Sequence, residues 1–347
     1  MRKKINAKAI YNFIITLFVV GVFVYFCFSE NGLIDLSKNA KQFKKSWLII
    51  AVLCQFVDLL IDAFLIYLFV FNGEKNYNMK NAIKASLVGQ FFNSVTPSAT
   101  GGQPMQVYVM SKQGVGAGHS TSALIQKFLL YQNVLVGYCI FAFFVKFDYF
   151  TALDSRVCIW AIFGFIIQSL MVFVLIFFSF YEKLTMRFIF MILSLLGKLH
   201  IIKNPDDKVK GLQKQLKAFH DSNRELYKNK SLLFKAYIFT IIQITSTFLI
   251  PYCIYRSFNL SGATLLDIVC VQAFITMSTA FFPIPGASGA TEGAGMIFLN
   301  DFFTKTTIKP AVAMTRLISY YLTILISFPF SRMTKDKKML ENLKPEK

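Results

Sequence analysis

Long apolar runs alternate with short polar connections along this chain. Six runs, at 9–28, 47–71, 122–147, 157–181, 232–255 and 311–330, each approach the roughly 20 residues that a bilayer-crossing helix needs. The pattern predicts an all-α integral membrane protein with about six full spans. Four further apolar stretches lie at 83–92, 103–111, 264–283 and 291–303, and the first two are too short to cross alone. They come in two pairs, and each pair is interrupted by the same signal. Pro97-Ser98-Ala99-Thr100-Gly101 and Pro285-Gly286-Ala287-Ser288-Gly289 both read P-x-A-[T/S]-G. Proline removes a backbone donor and glycine permits positive φ, so neither stretch continues a helix. The pairs are read as two broken-helix hairpins, re-entrant or complete.

A second echo follows each break. Lys127 with Tyr131 begins 30 residues after Pro97, and Arg316 with Tyr320 begins 31 residues after Pro285. Each is a basic residue with a tyrosine one helical turn later in an apolar helix. Two matched features at nearly equal offsets suggest a duplicated unit, with repeat 1 at 47–147 and repeat 2 at 232–330 of a single polytopic domain covering 1–347.

The connections carry the charge. The chain holds 37 Lys+Arg against 18 Asp+Glu, a formal net charge of +19. In a soluble protein that balance would raise nucleic acid as a partner. Here the basic residues cluster between spans, where they face anionic lipid and set topology, so nucleic acid is not expected. Placing both termini and the connections 72–84 and 182–231 on one side, with Lys112, collects 25 basic residues there against 8 in the opposite connections. The positive-inside rule then puts both termini in the cytoplasm. The first hairpin enters from the cytoplasmic side and the second from the opposite side, which makes the repeats inverted, an architecture of secondary transporters. Residues 1–8 carry Arg2, Lys3, Lys4 and Lys8, as a signal peptide would. The following run is too long and lacks a small-x-small cleavage site, so a retained first span is expected.

The 182–231 connection is a basic insert in which Val209, Leu212, Leu216 and Phe219 recur at helical spacing. This amphipathic helix either lies on an anionic membrane surface or covers the ends of the spans. Six cysteines, Cys27, Cys54, Cys139, Cys158, Cys253 and Cys270, fall in apolar segments without a C-x-x-C, and His119, His200 and His220 lie far apart. No disulfide frame, metal site or cofactor is expected.

Ionisable residues inside the apolar runs are the candidate chemistry. Gln55, Asp58 and Asp62 form one polar stripe of span 47–71. Charges at membrane depth cost roughly 2.5–3.5 kcal/mol each on insertion scales, so they should face the protein interior or a water-filled cavity. The alternative places Asp58 near an interface or protonated. Span 232–255 has a polar face of Gln243, Thr245, Ser246, Thr247 and Pro251. Helices starting near Gln103 and Thr291 would present free N–H groups and positive dipole ends, which favour anions. With Gly101, Gly102, Gln103, Gly286 and Gly289 at the breaks, and Lys127, Tyr131, Arg316 and Tyr320 beside them, the set suits a lipid head-group phosphate. Against this, the glycines would serve helix packing alone and the two basic residues would snorkel. Glu292 has three open roles: capping the half-helix, coordinating a proton or cation, or pairing with Arg316. Asp58 and Asp62 would tune charge or couple protons.

At these residues the chain resembles a known family. The stretches Asn93-Ser94-Val95-Thr96-Pro97-Ser98-Ala99-Thr100-Gly101-Gly102-Gln103-Pro104 and Pro283-Ile284-Pro285-Gly286-Ala287-Ser288-Gly289-Ala290-Thr291-Glu292-Gly293, with Arg316 before Tyr320-Tyr321, resemble the transmembrane flippase domain of the lysylphosphatidylglycerol synthase/flippase family. The likeness covers nearly the whole chain and its motifs are moderately specific. It implies handling of anionic or lysyl-modified phosphatidylglycerol in a bacterial inner membrane. It also implies a link to resistance against cationic antimicrobial peptides. Full-length members carry a cytoplasmic domain that moves lysine from lysyl-tRNA to phosphatidylglycerol. Here 17 residues follow Phe330, so the expectation is no synthase domain and, as partners, membrane phospholipids and a separately encoded synthase. Lys127 departs from the arginine more frequent at that position in the family. The alternative functions are the phosphatidylglycerol lysyltransferase itself, and a membrane scaffold that transports nothing.

Overall fold

The structure, a computed structural model, describes residues 43–152, 155–198, 205–280 and 282–331. The apolar run 9–28, the basic N-terminus and the C-terminal tail lie outside the described residues. Among the described residues every regular element is helical and there is no strand. In chain order these are α1 (Lys45–Gly73), α2 (Met79–Val95), α3 (Gly102–Lys112), α4 (Ala117–Val145), α5 (Phe147–Ala152), α6 (Ser155–Phe180), α7 (Glu182–Lys198), α8 (Pro205–Lys228), α9 (Lys230–Ser257), α10 (Leu265–Thr279), α11 (Ala290–Phe298) and α12 (Ile308–Ser331). Five helices among them are long and apolar enough to cross a membrane: α1, α4, the Ile162–Phe180 part of α6, α9 and α12. They correspond to the five apolar runs within the described region.

The chain is an all-α integral membrane protein, and its surface bears this out. Phe144, Leu325 and Phe234 are 75%, 71% and 67% exposed, along with Ile49, Leu53, Leu60, Ile162, Ile166 and Leu170. Aqueous solvent would penalise such a continuous apolar exterior, whereas hydrocarbon does not. The interior reverses the pattern: Gln55, Asp62, Gln126, Gln243, Glu292 and Arg316 are buried.

The two breaks share one conformation over their first three residues and part after them, Thr100 and Gly101 being right-handed helical where Ser288 is extended and Gly289 has φ 86°. Thr96 and Ile284 are extended, and Pro97–Ala99 and Pro285–Ala287 each form one 3₁₀ turn. The second and third residues of each copy are left-handed, Ser98 and Ala99 at φ 50° and 54°, Gly286 and Ala287 at 60° and 47°. Three of these four are not glycine, and strain of this kind persists only where surrounding structure over-determines it. Hydrogen-bonding caps start the hairpin helices. The Asn78 side chain accepts from the Asn81 N–H, and Thr264 and Asp267 form a reciprocal capping box.

The packing is reciprocal. The first long helices of the two halves, α1 and α9, lie against each other most extensively. α12, the last span, packs on α2 of the first hairpin, while α4 packs on α10 of the second, and the two breaks touch. Apolar clusters close both ends. One joins Ala51, Ile250, Ile254, Tyr255, Phe274 and Val312; the other joins Leu65, Phe69, Val70, Ala82, Leu124 and Leu226. The polar interior lies between them.

The basic insert covers the ends of the spans. α8 packs against α4, α7 and α9, and buries Leu216, Phe219 and Leu226. Of its predicted stripe, the Val209 and Leu212 side chains fall outside the described residues. Asn223 on α8 donates to the Ser179 carbonyl at 2.9 Å and to Ser179 Oγ at 3.0 Å, and accepts from Gln126 Nε2 on α4. A helix lying free on a membrane surface would have no reason to bury an asparagine against two spans.

Candidate functional site

Two cavities of about 400 and 390 Å3 occupy the interior between the apolar clusters. Asn93, Ala99, Tyr131, Gln132, Thr247 and Ser319 line both, so the chambers share one wall. That wall draws on α2, the first break, α4, α9 and α12.

The first chamber is built on α1. The polar stripe holds because α1 is long and otherwise apolar, so Gln55, Asp58 and Asp62 share the one face that does not meet lipid. Asp62 pairs with Lys127 of α4, Oδ1 to Nζ at 2.6 Å, and accepts from Ser86 Oγ of α2 at 2.5 Å. Asp58 is held by amides: Gln55 Nε2 donates to Oδ2 at 3.1 Å and Gln243 Nε2 of α9 donates to Oδ1 at 3.0 Å. Gln55 Nε2 also lies 3.0 Å from Thr323 Oγ1 on α12. Gln103, Lys127 and Tyr131 line this chamber.

The second chamber is built on α12 and the second break. Arg316 Nε donates to Glu292 Oε1 at 2.9 Å, and its Nη2 donates to the Gly286 carbonyl at 2.9 Å and to Ser288 Oγ at 3.3 Å. Its guanidinium lies 4.4 Å from the centre of the Tyr320 ring, whose hydroxyl donates to the Ser94 carbonyl at 2.7 Å. That last bond ties α12 to the end of α2. Directly after Arg316 the helix widens into a π-turn, Leu317–Tyr321, a distortion frequent at functional sites. The turn and the glycine belong together, because a Cβ on Gly286 would sit 2.3 Å from the Tyr320 ring. Only glycine lets the break approach that ring while keeping a positive φ.

Glu292 fills two of its three open roles: Oε2 accepts from the Gly289 N–H at 2.6 Å while Oε1 holds Arg316. It lies behind Arg316 rather than in the chamber lining. Gly286, Arg316 and Tyr320 line the second chamber. Gly101, Gly102 and Gly289 do not line either: Gly101 donates to Thr96 Oγ1 at 2.9 Å, and a Cβ on Gly102 would lie 1.9 Å from Asn93 Oδ1. The structure thus unites Asp58, Asp62, Gln103, Lys127 and Tyr131 in one chamber and Gly286, Arg316 and Tyr320 in the other, with Tyr131 common to both.

Each buried cation therefore carries its own carboxylate. Sequence reasoning left the Arg316–Glu292 pair open and did not foresee that Lys127 meets Asp62. It also missed Asn93, Gln132 and Ser319 of the shared wall. The only signal for Gln132 was its place beside Tyr131, and for Asn93 its place at the head of the first break. Four residues that line the chambers carry a buried polar atom without a hydrogen-bond partner: Gln55 Oε1, Asn93 Oδ1, Gln132 Oε1 and Gln168 Nε2. Such atoms are rare in folded interiors and call for an explanation.

Residues 13–327 match the protein family described as Lysylphosphatidylglycerol synthase TM region. A UPF0104 membrane protein from Archaeoglobus fulgidus is 21% identical over 252 residues, covering 70% of this chain and 73% of that protein.

Proposed function

The chain belongs to the lysylphosphatidylglycerol synthase transmembrane-region family, and from that premise we propose that it is a phospholipid translocase for anionic or lysyl-modified phosphatidylglycerol. One observation carries this reading: two polar chambers abut through a shared wall inside a helix bundle whose exterior is apolar. A head group crossing hydrocarbon unaided would lose all its hydration, whereas a chain of polar chambers replaces it in steps.

In this reading the halves 47–147 and 232–330 are inverted repeats, both termini face the cytoplasm, and the chain resides in a bacterial inner membrane. The recurrence of long helix, short helix, 3₁₀ break, short helix and long helix supports the repeat, as does the reciprocal packing. The head-group phosphate competes with Asp62 for Lys127 in one chamber and with Glu292 for Arg316 in the other. Because each cation is neutralised at rest, the chambers do not hold the anion so tightly that it cannot leave. Tyr131 donates a hydrogen bond beside Lys127, Tyr320 packs on Arg316 while its hydroxyl holds the Ser94 carbonyl, and Gly101, Gly102, Gln103 and Gly289 shape the breaks. Asp58 and Asp62 tune the charge. The resemblance to proteins that confer resistance to cationic antimicrobial peptides belongs with this reading, as does a separately encoded synthase that would supply the lysyl lipid.

The test uses proteoliposomes carrying the purified chain and head-group-labelled phosphatidylglycerol or lysylphosphatidylglycerol in one leaflet. Thr247→Leu fills the shared wall without touching either ion pair. The expected result is movement of one or both lipids by wild type and at least a tenfold loss in the variant. Equal rates in wild type, variant and empty liposomes, with the protein folded, would refute translocation.

A further inference from the structure

Counting charge through the two chambers leaves an imbalance. Asp62 is matched by Lys127 and Glu292 by Arg316, while none of the ion pairs among the described residues involves Asp58. Among the described residues its carboxylate takes neutral amide donors alone, from Gln55 and Gln243. Neutral donors orient a buried carboxylate without cancelling its charge.

The unpartnered atoms around it all have the same sense. Gln55 is 2% exposed and Gln132 is 7% exposed; both residues line the first chamber, and the side-chain oxygen of each is buried without a hydrogen-bond partner. With Asp58 ionised, the Gln55 amide nitrogen is the atom that faces the carboxylate, which leaves its oxygen on the other side. Asn93, which also lines this chamber, carries a third buried oxygen without a partner. One uncompensated negative charge and several unused acceptors ask for a ligand that brings positive charge and no lone pairs.

We propose that the first chamber contains a binding site for a single monovalent cation, held by Asp58 with the side-chain oxygens of Gln55 and Gln132. The cation is either a free alkali ion or a primary ammonium group on a lipid head group; both present a compact unit charge to oxygen acceptors. The adjacent Asp62–Lys127 pair contributes no net charge, so the preference for one positive charge belongs to Asp58. The inference stands on the chamber's composition and does not require that lipid be moved.

The experiment therefore measures binding rather than translocation. The purified chain in uncharged detergent is melted in a series of sodium chloride or methylammonium chloride concentrations, with choline chloride holding ionic strength constant. A ligand bound only by the folded state raises Tm with the logarithm of its concentration above Kd, by about 2–4 °C at concentrations well above Kd for a chain of this size. A rise with sodium assigns a free alkali ion; a rise with methylammonium alone assigns an ammonium carried by cargo. Either rise should vanish in Asp58→Asn, which keeps the shape and removes the charge. Gln132→Leu should keep the protein folded and weaken the apparent affinity several-fold. No rise with either cation, or a rise that survives in Asp58→Asn, would overturn the proposal and leave Asp58 neutralised by a proton. Intact binding without lipid movement would count against the translocase alone.

Discussion

Removing one member of the Arg316–Glu292 pair should cost far more than removing both. The two side chains are 7% and 4% exposed, and each has further obligations: Glu292 caps the Gly289 N–H, and Arg316 reaches Gly286 and Ser288. Breaking a buried pair from one side leaves an uncompensated charge and is worth about 3–5 kcal/mol. Glu292→Gln should fall near the lower end, because the new amide can satisfy Arg316 or the Gly289 N–H but not both at once. Arg316→Met should fall near the upper end, since it strands the Glu292 carboxylate and loses the contact with the Tyr320 ring. The double variant should cost less than the sum of the singles by at least about 2 kcal/mol, the coupling expected for residues sharing one buried contact. Denaturant titration of the four proteins in detergent gives the cycle directly. Additive single effects would refute the claim that these charges neutralise each other in the folded protein. The same cycle bears on transport assays: loss of lipid movement in Arg316→Ala says nothing about a phosphate site until folded fractions are matched.

Three further outcomes follow from the geometry. Gly286→Ala should destabilise by at least about 1–2 kcal/mol from the left-handed backbone alone, and should also displace Tyr320, which fluorescence quenching at that tyrosine in a variant lacking other reporters near α12 would detect; unchanged stability would contradict the close approach of break and ring. Asn223→Ala should strand Gln126 and Ser179 and cost about 1–3 kcal/mol, read as faster proteolysis within α8; unchanged cleavage would mean that the insert is not docked as described. His220 on α8 is held below its usual pKa, chiefly by burial, with Glu182 and the Ser179 backbone opposing the shift and Arg224 adding to it. Between the folded and unfolded values the unfolded chain binds more protons, so stability is present above about pH 6.5 and falls as pH drops below it. The protection of α8 amides, taken relative to their intrinsic exchange rate at each pH, should fall between pH 7 and 5.5 in wild type and respond less in His220→Gln.

Hydropathy and backbone chemistry act locally, and what they dictate was legible along the chain. The spans at 47–71 and 232–255 needed only their apolar length, and both breaks needed only Pro97 and Pro285 with their neighbouring small residues. The amphipathic insert showed its stripe, but whether it lies on a membrane or on the spans was settled only by Asn223, whose partners Ser179 and Gln126 sit on two other helices.

The candidate site divides the same way. Asp58, Asp62, Lys127 and Arg316 stood out because charge in an apolar run is costly and rare. Pairing of Arg316 with Glu292 was one of three open roles for the glutamate, and that of Lys127 with Asp62, 65 residues apart, did not stand out, because it depends on how α1 and α4 face each other. Nor did the shared wall of Asn93, Gln132, Thr247 and Ser319: single amides and hydroxyls are tolerated in any membrane helix, and they become a chamber only when five segments bring them to one place. The sequence by itself determined which residues cannot face lipid and where the helices must stop. Only the tertiary structure decided which of those residues neutralise one another and that Asp58 has no cationic partner among the described residues, since charge balance is a sum over groups distant in sequence and close in space.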